Sequence, residues 1–239
     1  DRSRVRVLVT RPIKDGTRTI ERLKEEGIEA VLAPVTAIVG TRNAVPHATF
    51  DAILISSANA IRHLPDNARG QLINVPTFCV GEKTASVARD AGFLSVTTGG
   101  GDGRALVSLV VSRFQAPASL LYLTGTPRKP FIEDGLKTKG FNPSVVELYQ
   151  TVLIDHWPGA ARLEVETCDN GLHFSRASVE ALLKAAENTG LSDFLHGLNH
   201  LCLSADVAEP LRQAGCTKLI IAPKPTEEDL LALLHIKET

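Results

Sequence analysis

The chain has 239 residues, 44% of them apolar, which is enough for two cored domains, and a formal net charge of −1. A charge this close to zero gives no global basic field for nucleic acid, and no apolar run approaches the ~20 residues of a membrane-spanning helix. Four cysteines, Cys79, Cys168, Cys202 and Cys216, show no C-x-x-C spacing, which points to a reduced, cytoplasmic protein without disulfides or a zinc knuckle.

The start carries Asp1, Arg2, Arg4 and Arg6 with no secretory apolar segment behind them. Short apolar runs then recur along the chain: Val7-Leu8-Val9, Ile53-Leu54-Ile55, Phe78-Cys79-Val80, Leu120-Leu121-Tyr122-Leu123, Leu201-Cys202-Leu203 and Leu219-Ile220-Ile221. Runs this short and continuous read as strands buried on both faces, as in parallel sheets covered by helices. Helical patterns lie between them, for example Val179, Leu182, Leu183 and Ala186 at i, i+3, i+4, i+7. Strand–helix alternation of this kind predicts an α/β fold. Residues 30–39, with Pro34, and 144–154 read as unusually long strands. Pro is poorly tolerated inside a sheet, so these two segments read as edge strands or as strands crossing between lobes.

The second half repeats the first. Leu23 and Gly27 recur as Leu136 and Gly140, Ser56 as Ser175, and Cys79, Ala91 and Gly92 as Cys202, Ala214 and Gly215. Each Gly of the Leu–Gly pairs is placed where a helix ends in a left-handed cap. The expectation is two similar parallel-sheet α/β lobes from an internal duplication, joined by two crossing strands, with function in the cleft between them.

Ligands of open parallel sheets bind beyond the carboxyl ends of strands. The chain offers junctions at Thr10-Arg11-Pro12, Ser56-Ser57-Ala58-Asn59, Gly81-Glu82-Lys83-Thr84, Thr124-Gly125-Thr126-Pro127-Arg128-Lys129, Phe174-Ser175 and Ser204-Ala205-Asp206. Small and hydroxyl residues dominate them; they either approach a ligand or cap helices. Thr84 reads as starting its helix, open to either role. Asp206 would repel a carboxylate. No dinucleotide-binding G-x-G-x-x-G, P-loop or G-x-S-x-G elbow occurs. His196 and His200 are four apart but lack a metalloprotease Glu, and no metal site is expected. His173 reads as a satisfied strand residue. Of the two tyrosines, Tyr122 falls in a buried run and Tyr149 in the long second segment, where its hydroxyl is free to face a ligand or to pack.

Thr10-Arg11-Pro12, Gly27 with Pro34, Ser57-Ala58-Asn59-Ala60, Val80-Gly81-Glu82-Lys83-Thr84-Ala85, Gly125 with Lys129, Gly140, Leu148-Tyr149-Gln150-Thr151 and Phe174-Ser175, in this order, resemble the bacterial uroporphyrinogen-III synthases. The resemblance implies closure of hydroxymethylbilane, a linear tetrapyrrole with eight carboxylates, to uroporphyrinogen III with inversion of the last ring. It implies no cofactor or metal, and no nucleic-acid or membrane partner; a monomer is expected. It also implies a discontinuous lobe of residues 1–34 and 155–239, with 37–150 as the inserted lobe. Tyr149 and Thr84 are then the candidate catalytic residues. Arg11, Ser56, Ser57, Asn59, Gly81, Lys83, Gly125, Lys129 and Ser175 are the candidate substrate-binding residues. A non-catalytic two-lobe sensor of small molecules is the alternative; a two-lobe glycosyltransferase would need a nucleotide site that the sequence lacks.

Overall fold

The computed structural model describes residues 5–235; Asp1, Arg2 and Arg4 lie outside them. In chain order the elements are β1 (Arg6–Val9), α1 (Ile13–Glu25), β2 (Glu29–Leu32), β3 (Thr36–Gly40), β4 (Ala52–Ile55), α2 (Ala58–Arg62), α3 (Asp66–Leu72), β5 (Thr77–Cys79), α4 (Glu82–Asp90), β6 (Val96–Thr98) and α5 (Gly103–Arg113). Then follow β7 (Leu120–Thr126), α6 (Phe131–Thr138), β8 (Ser144–Leu153), α7 (Gly159–Val165), β9 (Asn170–His173), α8 (Arg176–Thr189), α9 (Ser192–Gly197), β10 (Asn199–Cys202), α10 (Ala205–Gln213), β11 (Leu219–Ile221) and α11 (Glu227–Ala232). The chain divides into two compact units. A terminal unit takes the chain up to Ala37 and again from Val152, and a central unit takes Ile38–Thr151. The boundaries fall inside β3 and β8. Among the described residues no helix is long and apolar enough to cross a membrane.

The terminal unit is built on a sheet of order β11-β10-β9-β1-β2, every neighbouring pair parallel. Its strands are apolar on both sides because both sides are covered. Leu8 faces a core with Trp157, Val165 and Leu182, whereas Val7 and Val9 face one with Leu23, Leu172, Leu201 and Leu230. The central unit has the order β3-β8-β7-β4-β5-β6, and the pairs from β8 through β6 are parallel. Ile53, Ile55, Leu121 and Leu123 pack on α2, α3 and α4 through Ile61, Leu72 and Ala88. Leu54, Leu120 and Tyr122 pack on α5 and α6 through Leu106, Val110 and Leu136. The alternation along each strand sorts side chains between two faces.

The two sheets share one topology. Reading β1, β2, β9, β10, β11 as strands 1 to 5 gives the order 2-1-3-4-5, and β7, β8, β4, β5, β6 give the same order with β3 added at the edge. The repeat extends to the helix ends. Gly27 and Gly140 both take positive φ, 75° and 86°, and the next amide returns to the helix identically, Ile28 N–H to Leu23 O at 2.9 Å and Phe141 N–H to Leu136 O at 3.1 Å. Gly92 and Gly215, at φ 97° and 90°, are followed in the same way by Phe93 N–H to Ala88 O at 3.1 Å and Cys216 N–H to Leu211 O at 3.0 Å. Such left-handed caps need a residue without Cβ.

Two expectations need correction. Ser57 caps α2 and Ser175 caps α8, so the repeat aligns Ser175 with Ser57 and not with Ser56. The segment 30–39 is not one strand: β2 ends at Leu32, Ala33-Pro34-Val35 break the ladder, and β3 begins at Thr36. Pro34 has no N–H to give a neighbour, and the chain uses the break to leave one sheet for the other. β3 also departs from the parallel pattern. The Thr41 N–H bonds Leu148 O at 3.1 Å and the Ile154 N–H bonds Val35 O at 2.8 Å, so numbering rises on one strand as it falls on the other.

Candidate active site

In the order 2-1-3-4-5, loops leave in opposite directions at the switch between strands 1 and 3, and the crevice there receives ligands. In the central unit the switch lies between β7 and β4. Ser56-Ser57 follows β4, and Gly125 lies near the end of β7. Tyr149, on β8, reaches the same place through an irregularity of the ladder. Thr124 pairs with Glu147, but Gly125 pairs with Tyr149, so Leu148 is an extra residue. A bulge of this kind re-aims the following side chain. Val146, Leu148 and Tyr149 therefore all pack toward one core face. The Tyr149 ring covers Gly125 so closely that a Cβ on Gly125 would overlap Cε2 and Cζ. The His63 ring lies 6.3 Å from that of Tyr149, centroid to centroid. The Tyr149 hydroxyl makes no hydrogen bond with the described residues.

Ser56 is held from beneath. Thr124 Oγ1 donates to the Tyr122 hydroxyl at 3.2 Å, and that hydroxyl donates to Ser56 Oγ at 3.2 Å. Thr124 and Tyr122 are 1% and 2% exposed, so this polar chain runs through the core to the rim. Ser57 Oγ accepts from the Asn59 N–H at 3.2 Å, and Asn59 Oδ1 accepts from Arg62 at 3.0 Å. Ser57 is thus a helix cap, and Asn59 braces its own helix.

At the next junction Gly81, not Thr84, is the N-cap of α4. Thr84 is the third helical residue. It is buried, and its hydroxyl has no hydrogen-bond partner among the described residues. Lys83 is exposed. Cys79, just below, is no nucleophile: burial, chiefly, pushes its thiol up to about 12. Cys202 in the terminal unit is likewise pushed up to about 12 by burial.

The loop after β7 is organised by Arg128, which sequence reasoning passed over. Its guanidinium donates to Glu133 through Nε at 2.9 Å, to Glu147 through Nη1 at 2.7 Å, and to Gly125 O at 3.2 Å. Burial works against this charge, but the hydrogen bonds to Glu147 and Glu133 outweigh it and raise the Arg128 pKa above its ordinary value. Arg128 is committed to the protein, whereas Lys129 beside it is exposed. The signal for this ion cluster was two acids, Glu133 and Glu147, near one Arg, but their distance in sequence hid it.

In the terminal unit the switch lies between β1 and β9. Arg11 follows β1 and stacks on Phe174, its Cζ 4.1 Å from the ring centroid. Its Nη1 donates to Thr19 Oγ1 at 3.2 Å and lies 4.0 Å from Glu227. Ser175 Oγ caps α8 by accepting from the Ser178 N–H at 3.1 Å. At the last junction Ser204 caps α10, and Asp206 is paired with Arg176 at 3.1 Å. His196 and His200 are on different elements, α9 and β10, and do not form a pair. His196 bonds Ala214 O, and His200 bonds Leu195 O and His173.

A family model described as uroporphyrinogen-III synthase HemD matches residues 17–232. The chain belongs to the uroporphyrinogen-III synthase family. It is an enzyme of that class. Among solved structures, the uroporphyrinogen-III synthetase from Helicobacter pylori superposes at a TM-score of 0.69 with 17% identity, covering 97% of this chain and 98% of that one. A mutant uroporphyrinogen III synthase from the extremely thermophilic bacterium Thermus thermophilus gives a TM-score of 0.57 at 19% identity, covering 97% and 96%. At such identities the likeness establishes the shared two-sheet α/β fold. No curated protein matches the chain.

Proposed function

We propose that this chain closes hydroxymethylbilane to uroporphyrinogen III, inverting the last pyrrole ring, as a step in haem biosynthesis. One water leaves overall. The terminal hydroxyl departs with a donated proton while the pyrrole N–H gives one up, leaving an azafulvene; the substituted carbon of the last pyrrole attacks it; the resulting spiro intermediate fragments and recloses as the type III isomer, the hydrogen displaced from the closing ring carbon restoring the N–H. Unaided closure gives the type I isomer, so the enzyme must hold one conformation and assist one departure.

Family membership supports the reaction, and the environment of Tyr149 carries the reading of its site. A phenol with no hydrogen-bond partner among the described residues, re-aimed by a bulge at a switch point, has its donor left for a ligand. Tyr149 is read as the donor to the departing hydroxyl. Thr84, whose hydroxyl has no hydrogen-bond partner among the described residues, is read as a contact to a carboxylate or to the leaving group. Ser56, positioned by Tyr122 and Thr124, and the backbone at Gly81 and Gly125 are read as binding groups. Lys83 and Lys129 supply charge at the edge. Ser57, Asn59, Ser175 and Arg11 are engaged within the protein, and their contribution to binding is through the loops they shape. The four cysteines are all free and buried, which supports a reducing, cytoplasmic setting.

The test is to add purified protein to freshly made hydroxymethylbilane, oxidise the products and resolve the porphyrin isomers. The type III isomer in excess over the spontaneous type I isomer is expected. Type I alone, with the protein folded, contradicts the reaction and leaves the binding-protein alternative.

A further inference from the structure

The central unit holds a second feature that the active-site reading does not use. Beside the end of β3 is a pocket of about 560 Å³ lined by Gly40, Arg42, His47, His63, Asn67 and Gln71, among others. No carboxylate lines it. Arg42 and His47 are exposed and make no ion pair among the described residues. Arg42 takes φ 64°, the one positive value among the described non-glycine residues. An Arg in the left-handed region is strained, and such strain persists where the surroundings over-determine it.

Here the surroundings are the Tyr149 bulge. Thr41 Oγ1 donates to Glu147 O at 2.6 Å, and Asn43 Nδ2 donates to the same oxygen at 2.8 Å. The Thr41 N–H bonds Leu148 O at 3.1 Å. The loop bearing Arg42 is thus pinned, on both sides of Arg42, to the two residues that set Tyr149. His63 completes the link, lining the pocket with its ring beside that of Tyr149.

We propose that this pocket receives one terminal pyrrole of the linear tetrapyrrole, held through its carboxylate arms by Arg42 and His47. The inference rests on the synthase reading above. A pyrrole with a carboxymethyl and a carboxyethyl arm is planar, dianionic and smaller than the pocket. Arg42 provides a planar donor fork for a carboxylate, and the Asn67 and Gln71 side chains offer further donors. Holding an end ring here fixes the substrate against the Tyr149 rim, which is the conformational control the reaction needs.

The test has two arms. In the first, Arg42→Gln/His47→Gln is compared with wild type in the isomer assay. A KM raised roughly tenfold, equivalent to losing about 1.4 kcal/mol of binding, with kcat within about twofold, is expected, and Arg42→Lys should restore part of the loss. An unchanged KM in the folded double variant overturns the proposal. In the second, a monopyrrole bearing one carboxymethyl and one carboxyethyl arm is titrated into the isotope-labelled wild-type protein, and the Asn67 and Gln71 side-chain amide signals are followed. Saturable shifts that vanish in the double variant support the pocket; no shifts overturn it. This arm needs no turnover, so failure of the synthase reading, seen as type I product only, is told apart from failure of the pocket.

Discussion

Gly125→Ala is the most informative single change at the proposed site. The added Cβ falls on Cε2 and Cζ of Tyr149, well inside the ~3.5 Å at which carbon atoms make contact. Gly125 is buried in β7 and paired to Tyr149 in the ladder, so the backbone is the stiffer partner. The half-buried ring must swing by about an ångström, and a displacement of that size can cost roughly 10²-fold in rate. Overpacking should cost about 1–3 kcal/mol of stability, an amount that leaves a cored domain folded. The assay is steady-state turnover with isomer analysis, beside urea unfolding. In a Tyr149→Phe background the ring stays but its hydroxyl is gone, so adding Gly125→Ala should cost little further turnover. Two contacting residues serving one role are non-additive. Normal turnover in Gly125→Ala, or fully additive losses in the double variant, refutes the claim that Gly125 acts by placing the Tyr149 hydroxyl.

Thr84→Val should fold normally, because the repeat places Val207 at the same third position of α10, buried; turnover should fall if the hydroxyl meets the ligand, and normal turnover would remove Thr84 from the site. Neutralising Lys83 and Lys129 together should weaken product binding but leave it measurable by calorimetry, since backbone and hydroxyl donors remain; complete loss would show that side-chain charge dominates. The terminal unit should lose stability on mild acidification. His200 Nε2 bonds Leu195 O at 2.7 Å and its Nδ1 faces His173 Nε2 at 2.8 Å, which leaves His173 Nδ1 buried without a partner. Burial, chiefly, lowers both pKa values from the ordinary 6.5, that of His173 well below it. Below pH 6.5 the unfolded chain gains protons that the fold refuses, so stability is full above that pH and declines beneath it, by at most about 1.4 kcal/mol per pH unit for each histidine. Trp157, the single tryptophan, is buried in this unit, so its fluorescence in urea at about pH 7.5 and 5.5 reads the effect; equal midpoints would contradict it.

The duplicated α/β plan was legible because its signals are local and physical. Strands buried on both faces are continuous apolar runs, and helix ends that need a left-handed residue carry Gly27, Gly92, Gly140 and Gly215. The junctions were legible for the same reason, although hydroxyl residues mark helix caps as readily as ligands; Ser57 and Ser175 are caps. What escaped depends on tertiary register. The extra residue at Leu148 is invisible in a strand that reads as one apolar-rich segment, yet it decides where Tyr149 points. Arg128 was overlooked beside Lys129 because its partners Glu133 and Glu147 come together only through the fold. The Thr124–Tyr122–Ser56 chain was hidden inside a run that reads as core. Pro34 marked its segment as an edge or crossing strand, but that the segment ends one strand and begins another needed the pairing itself.

Tyr149→Phe gives the most direct measurement of the central claim, that this rim steers closure through one unengaged phenol. The substitution removes a hydroxyl that no described residue uses, so the unfolding profile should match wild type. Turnover should fall by roughly 10²–10⁴, the range typical of lost acid assistance, and the type I isomer should accumulate as spontaneous closure outruns the enzyme. A folded Tyr149→Phe variant that still delivers the type III isomer at a near-normal rate would contradict the account.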